Sequence, residues 1–145
     1  MKKTLFATGL AMAMALPFGA SAADYVIDNK GAHASVNFKV SHLGYSFIKG
    51  RFNTFEGDFS YDPANISASK VEVTIDTTSL DSNHAERDKH IRSSDFIDAS
   101  KFSTATFTST SVVDKGNGKL EVNGDLNLHG VTCLLYTSPS PRDRH

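Results

Sequence analysis

The sequence predicts an all-β protein, an antiparallel sheet that curls to bury one apolar face and is interrupted by one short helix. Three observations predict it. Apolar and polar residues alternate at period two along much of the chain. Turn-forming stretches such as Asp62-Pro-Ala-Asn65 and Asp114-Lys-Gly-Asn-Gly118 punctuate that alternation. One segment, 83–98, breaks it with two His, two Arg and four acids among sixteen residues. A helix that polar belongs on a rim or over an opening, not in a core. A sandwich and a barrel both satisfy these observations.

Taken in order, residues 1–22 read as a secretory signal: Lys2 and Lys3, an apolar run from Leu5 to Phe18, and a small-x-small cleavage site at Ala20-Ser21-Ala22. The run is too short to serve as a membrane span and is broken by Pro17. Cleavage after Ala22 would place the protein in the periplasm or outside the cell, with no stable membrane insertion. In the first strand Ala34, Val36, Phe38 and Val40 share one face, against Ser35, Asn37 and Lys39. Tyr45 and Phe47 open a second strand, and Phe59 and Tyr61 share a face in a third. Val71, Val73 and Ile75 alternate with Glu72, Thr74 and Asp76. In the helical segment Asn83 is placed as the N-cap, with Glu86 reaching back from the third helical position. Ala105 and Phe107 begin a Ser/Thr-rich strand ending at Val113, and Leu120, Val122, Leu126 and Leu128 alternate in the return strand.

Residues 133–145 lack this alternation and hold the single Cys and two of the four Pro. They are expected to be a non-native tail, of the kind encoded when a sequencing adapter is joined to a truncated gene, and to leave the strand ladder at Cys133. The expected organisation is therefore a signal at 1–22, a partial domain at 23–132 and the tail at 133–145.

Composition excludes several functions. The chain has a net charge of −1, and four of its basic residues (Lys2, Lys3, Arg142, Arg144) lie at the two ends. No basic cluster of the density that nucleic acid requires remains between them. Without Cys133 the chain has no cysteine, so an oxidising compartment is met by packing alone. There is no Gly-x-Ser-x-Gly elbow, and Asp95 and Asp98 suit helical capping better than proton transfer. His84 and Asp88, four apart, are the only metal-like pair in the helix, and neither Cys nor a His-Glu-x-x-His pattern supports them. No metal, cofactor or catalytic set is assigned, and the protein is not expected to be an enzyme.

The stretch His84-Ala-Glu-Arg-Asp-Lys-His-Ile-Arg-Ser-Ser-Asp-Phe-Ile-Asp98 followed by Lys101-Phe-Ser-Thr-Ala-Thr-Phe107 resembles the signature of the YceI family. The resemblance extends from Ala23-Asp-Tyr-Val-Ile-Asp28 through Phe38, His42-Leu-Gly-Tyr45 and Gly50 to Asn127-Leu-His-Gly-Val-Thr132. It implies a lipocalin-like antiparallel β-barrel, incomplete here, whose interior is a tunnel for a polyisoprenoid lipid such as an isoprenoid quinone. On that reading, alternation nominates Phe38, Phe47, Phe59, Val73, Ile75, Phe107, Leu126 and Leu128 as tunnel lining. A slip of one residue in any strand would reverse its assignment. His42, Tyr45, His84, Arg87, Asp88 and Arg92 are nominated for the lipid's polar head. The implied partner is the lipid itself, with a homodimer compatible with it. The competing expectation is a periplasmic stress or interaction protein whose barrel is filled by its own side chains.

Overall fold

The computed structural model describes residues 22–31 and 33–136, so the signal expected at 1–22 lies, but for Ala22, outside the described residues, as do residues 137–145. Among the described residues, nine strands and one α-helix follow one another. They are β1 (Ala23–Val26), β2 (Val36–His42), β3 (Ser46–Phe52), β4 (Phe55–Tyr61), β5 (Lys70–Asp76), β6 (Leu80–Asp81), α1 (Ala85–Arg92), β7 (Thr104–Gly116), β8 (Lys119–Leu128) and β9 (Val131–Tyr136). They form a six-stranded sheet ordered β1-β4-β5-β7-β8-β9 and a three-stranded sheet ordered β2-β3-β6, with every pairing antiparallel. The sheets do not close into a barrel among the described residues.

The chain passes between the two sheets at two adjoining corners. One is Asn53-Thr54, between β3 and β4; the other is the 3-10 turn Thr77–Ser79, between β5 and β6. Asn53 N–H donates to Ser79 O at 3.1 Å, Asp76 N–H to Thr54 O at 3.0 Å, and Thr54 N–H to Ser79 Oγ at 3.0 Å. Thr77 is fully buried there, its hydroxyl donating to Phe102 O at 2.7 Å. A buried threonine must pair its own polar groups, and its short side chain does so here. Ile75, Leu80, Ala99 and Ala105 are buried around it.

On the larger sheet, the pairing sets Val73 opposite both Gly57 and Phe107, and Phe107 opposite Leu126. These residues, with Phe59, Val71 and Leu128, share one face. A β-bulge between Ser109 and Ser111 changes the phase of β7, so Val112 rather than an odd-numbered residue is buried opposite Val122. The strand then runs on past the Val113 end expected from pattern, to Gly116, where Gly116, Asn117 and Gly118 turn at positive φ.

Three expectations are corrected. First, β9 continues through Cys133, Leu134, Leu135 and Tyr136, which pair with Leu126, Asp125, Gly124 and Asn123. The ladder is backbone chemistry, and this stretch precedes the first proline of the tail. Second, Asn83 is not the helix cap. Its φ is +62°, a left-handed conformation that Asn tolerates but an N-cap does not use, and its N–H donates to Asp81 at 2.8 Å. His84 is the cap: its Nδ1 accepts from Arg87 N–H at 3.2 Å. Third, the helix occupies only Ala85–Arg92 of the expected segment. The following turn folds back on it, with Ile97 N–H donating to Ile91 O and Ala99 N–H to Arg92 O.

Candidate functional site

A cavity of about 470 Å³ lies where the small sheet, α1, the turn after it and the end of β8 meet. Its apolar wall comes from Phe38 and Val40 on β2, Ile48 and Phe52 on β3, Leu80, Ile91, Phe96, Ile97 and Leu128. Three cation-forming side chains share the lining: His42, Arg87 and His90. That volume falls in the range of small-molecule sites, and an apolar wall with a few polar groups is their usual composition.

The strand register explains the wall. Phe38 stands opposite Gly50, Val40 opposite Ile48 and Val36 opposite Phe52, so all of these share one face. Gly50 is required by close approach: a Cβ there would run into the Phe38 ring and come within 2.8 Å of Asp81 O. The Phe38 ring therefore lies across a backbone that carries no side chain, and it tilts against Phe52 at 5.7 Å between centroids. Gly124 plays the same part beneath Phe107, whose ring would lie 2.5 Å from an added Cβ.

The helix is held over the cavity by polar bonds, since its only apolar residues are Ala85 and Ile91. Asp88 is buried and accepts from Ser82 N–H at 2.9 Å and Ser82 Oγ at 2.5 Å. Arg87 donates from Nε to Ser82 Oγ at 2.7 Å and from Nη2 to Ser82 O at 2.5 Å. Arg92 Nη1 donates to Thr78 O and Leu80 O, both at 3.1 Å, tying the last helical turn to the β5–β6 corner. Acids in the first turn and bases in the last also oppose the helix dipole favourably. At the far end, the exposed His90 meets Phe96 edge-on at 4.9 Å and Asp95 at 3.5 Å. Beside the site, the Asp81 carboxyl is held below the usual carboxylate range. The Asn83 N–H contributes most and the Asn53 amide next; burial opposes them, and the Arg51 guanidinium adds a smaller lowering.

The structure sorts the residues nominated from sequence. Of the tunnel candidates, Phe38 and Leu128 line the cavity. Phe59, Val73, Ile75, Phe107 and Leu126 lie on the larger sheet, on the face that Leu128 continues. Phe47 is corrected: it pairs with Ser41 on the opposite face of the small sheet, 60 % exposed beneath Lys39 Nζ. Its parity differs by one from Ile48, the one-residue slip to which alternation is vulnerable. Of the head-group candidates, His42 and Arg87 line the cavity. Asp88, Arg92 and His84 are corrected: none of them lines the cavity, and Asp88 Oδ1 and Arg92 Nη1 instead hold the helix while His84 caps it. Tyr45 is corrected too, standing almost wholly in solvent at the β2–β3 turn.

Sequence reasoning missed Val40, Ile48, Phe52, Leu80, His90, Ile91, Phe96 and Ile97. A signal for some was present: Ile91, Phe96 and Ile97 are three of the four apolar residues in the polar segment 83–98. An apolar residue kept in so charged a stretch has something to cover. No cluster of three or more His, Cys, Asp or Glu suited to a metal ion occurs among the described residues. No helix among them is long and apolar enough to cross a membrane.

The sequence profile of the YceI-like domain matches residues 25–135. A UPF0312 protein of Vibrio campbellii is 82 % identical over 132 residues, an alignment that takes in 91 % of this chain and 70 % of that protein. Among solved structures, BcnA of Burkholderia cenocepacia superposes with a TM-score of 0.69 at 26 % identity, covering 76 % of this chain and 67 % of that one. A polyisoprenoid binding domain from Saccharophagus degradans, implicated in plant cell wall breakdown, shares the fold with a TM-score of 0.51 at 21 % identity, covering 71 % and 59 %.

Proposed function

Because the chain belongs to the YceI-like domain family, we propose that it is a periplasmic carrier for a long-chain polyisoprenoid lipid, such as an isoprenoid quinone. One observation carries the reading: an apolar cavity of about 470 Å³ with a guanidinium and two imidazoles in its lining. Burying a prenyl tail against Phe38, Ile48, Phe52 and Leu128 gives roughly 25 cal/mol per Å² of apolar surface removed from water. Affinity therefore needs few polar contacts, and these serve to set direction. Arg87, His42 and His90 can all donate to a carbonyl or phosphate oxygen on the head. A tail longer than the cavity has a path to follow. From Leu128 the same face carries Leu126, then Phe107 and Val73 across adjacent strands, towards Phe59. The name of the Saccharophagus degradans domain, and its shared fold, support a ligand of this class.

Organic extraction of the purified protein followed by mass spectrometry tests the proposal. A co-purifying prenyl lipid is the expected result. Preparations that are repeatedly empty, and take up no prenyl lipid when it is offered, would overturn it in favour of a side-chain-filled interaction protein. Export is tested separately by intact mass, with Ala23 expected as the first residue of periplasmic material.

A further inference from the structure

The β2–β3 hairpin ends in an apolar tip that the fold itself does not use. Leu43 is 78 % exposed and Tyr45 95 %, with Phe47 exposed just below them. Leu43 and Gly44 both turn at positive φ, +53° and +73°, closed by Tyr45 N–H donating to His42 O at 3.2 Å. Asn, Asp or Gly ordinarily opens such a turn, because a bulky side chain crowds the backbone in the left-handed region. Leu43 is thus strained and gains almost no packing in return. Folding stability does not account for a leucine there.

The charge around the tip is of one sign. Lys39 stands opposite Lys49 on the outer face of the small sheet, and Arg51 follows opposite Asn37. Lys39 Nζ lies 3.9 Å over the Phe47 ring. Arg51 is partly neutralised by Asp81 at 3.6 Å, which leaves Lys39 and Lys49 as the main carriers. Residues 29–55 contain no Asp or Glu, although the chain as a whole is net negative. An exposed Leu and two aromatic rings below a belt of lysines match the chemistry of an anionic bilayer surface. Leucine suits the acyl boundary, tyrosine the headgroup level, and lysine the phosphates. The tip also adjoins the cavity: His42 lines it and is the residue before Leu43, while Val40 and Phe96 in its wall are each about half exposed.

We propose that the β2–β3 hairpin docks onto anionic lipid bilayers, with Leu43, Tyr45 and Phe47 entering the interface and Lys39 and Lys49 meeting lipid phosphates. Docking in this way brings the cavity wall at Val40 and His42 close to the membrane. The proposal is independent of which ligand the cavity holds.

The test is co-sedimentation of the purified full chain with phosphatidylcholine vesicles, with and without about one-third phosphatidylglycerol. Binding is expected to the anionic vesicles and to fall as salt is raised. Leu43→Asn should weaken it by about tenfold while leaving the thermal midpoint unchanged or higher, because Asn fits the turn better. Lys39→Gln and Lys49→Gln should each weaken it by roughly fivefold. Absence of vesicle binding, or variants that bind like the parent, would overturn the proposal. So would self-association that Leu43→Asn abolishes in a chain that ignores vesicles, since the tip would then belong to a second copy. None of these outcomes bears on the lipid extraction, so the two proposals fail separately.

Discussion

Replacing Asp88 with Ala separates a structural role from a ligand-binding one. Asp88 is 7 % exposed, and its carboxylate accepts two hydrogen bonds from Ser82, at 2.9 Å from N–H and 2.5 Å from Oγ. Each bond to a charged acceptor is worth roughly 1.5–3 kcal/mol, and the Ser82 N–H left behind is itself buried. The hydroxyl keeps its bond from Arg87 Nε, which moderates the loss. The net expectation is about 3 kcal/mol, a large fraction of the roughly 5–15 kcal/mol that holds an ordinary domain together. With a urea slope of roughly 1–3 kcal/mol per molar, the unfolding midpoint should fall by about 1–3 M. Asp88→Asn retains one acceptor oxygen and should lose about half as much. Both variants should loosen α1 over the cavity, so ligand retention falls in step with stability. An Asp88→Ala protein with the parent's urea midpoint but reduced ligand would refute this reasoning and return Asp88 to the head-group site.

Phe38→Asp should abolish lipid retention, because an unpaired carboxylate in the cavity wall costs several kcal/mol. Phe107→Asp should mainly destabilise the larger sheet, and extraction alongside urea melts distinguishes the two effects. Arg87→Ala should weaken ligand retention and also cost about 1 kcal/mol of stability, since Ser82 loses two donors; a variant with neither change would remove Arg87 from both roles. Gly124→Ala should cost about 1–3 kcal/mol, because the new methyl would sit 2.5 Å from the Thr108 carbonyl and from the Phe107 ring; an unchanged melting temperature would contradict that packing. The depressed Asp81 carboxyl contributes stability that is present above the ordinary aspartate range and is lost as pH falls from about 4 through the folded value. Its titration followed by NMR should have a midpoint below about 3.9, and Asp81→Asn should reduce the acid sensitivity of unfolding; a midpoint at or above that value would contradict the assignment.

How much of this was legible in the sequence depends on the range of the interaction concerned. Alternation in Val71, Val73 and Ile75, and in Leu126 and Leu128, was sufficient for an all-β chain, because side-chain period follows directly from strand geometry. The polar run 83–98 was sufficient for a surface helix near an opening, and α1 does form part of the cavity wall. Where a strand's phase is set by a partner, pattern reading fails: the bulge after Ser109 and the outward Phe47 are fixed by cross-strand pairing. The hydrogen-bonding assignments fail for a related reason. His84, Asp88 and Arg92 have the chemistry of a head-group site, yet their partners are Arg87 N–H, Ser82, Thr78 O and Leu80 O, supplied by the helix itself and by the corner beside it. Local sequence by itself determined which residues could form strands, turns and a polar helix. Only the tertiary structure decided which faced the cavity and which held its wall in place, because burial and pairing are properties of neighbours far apart in the chain.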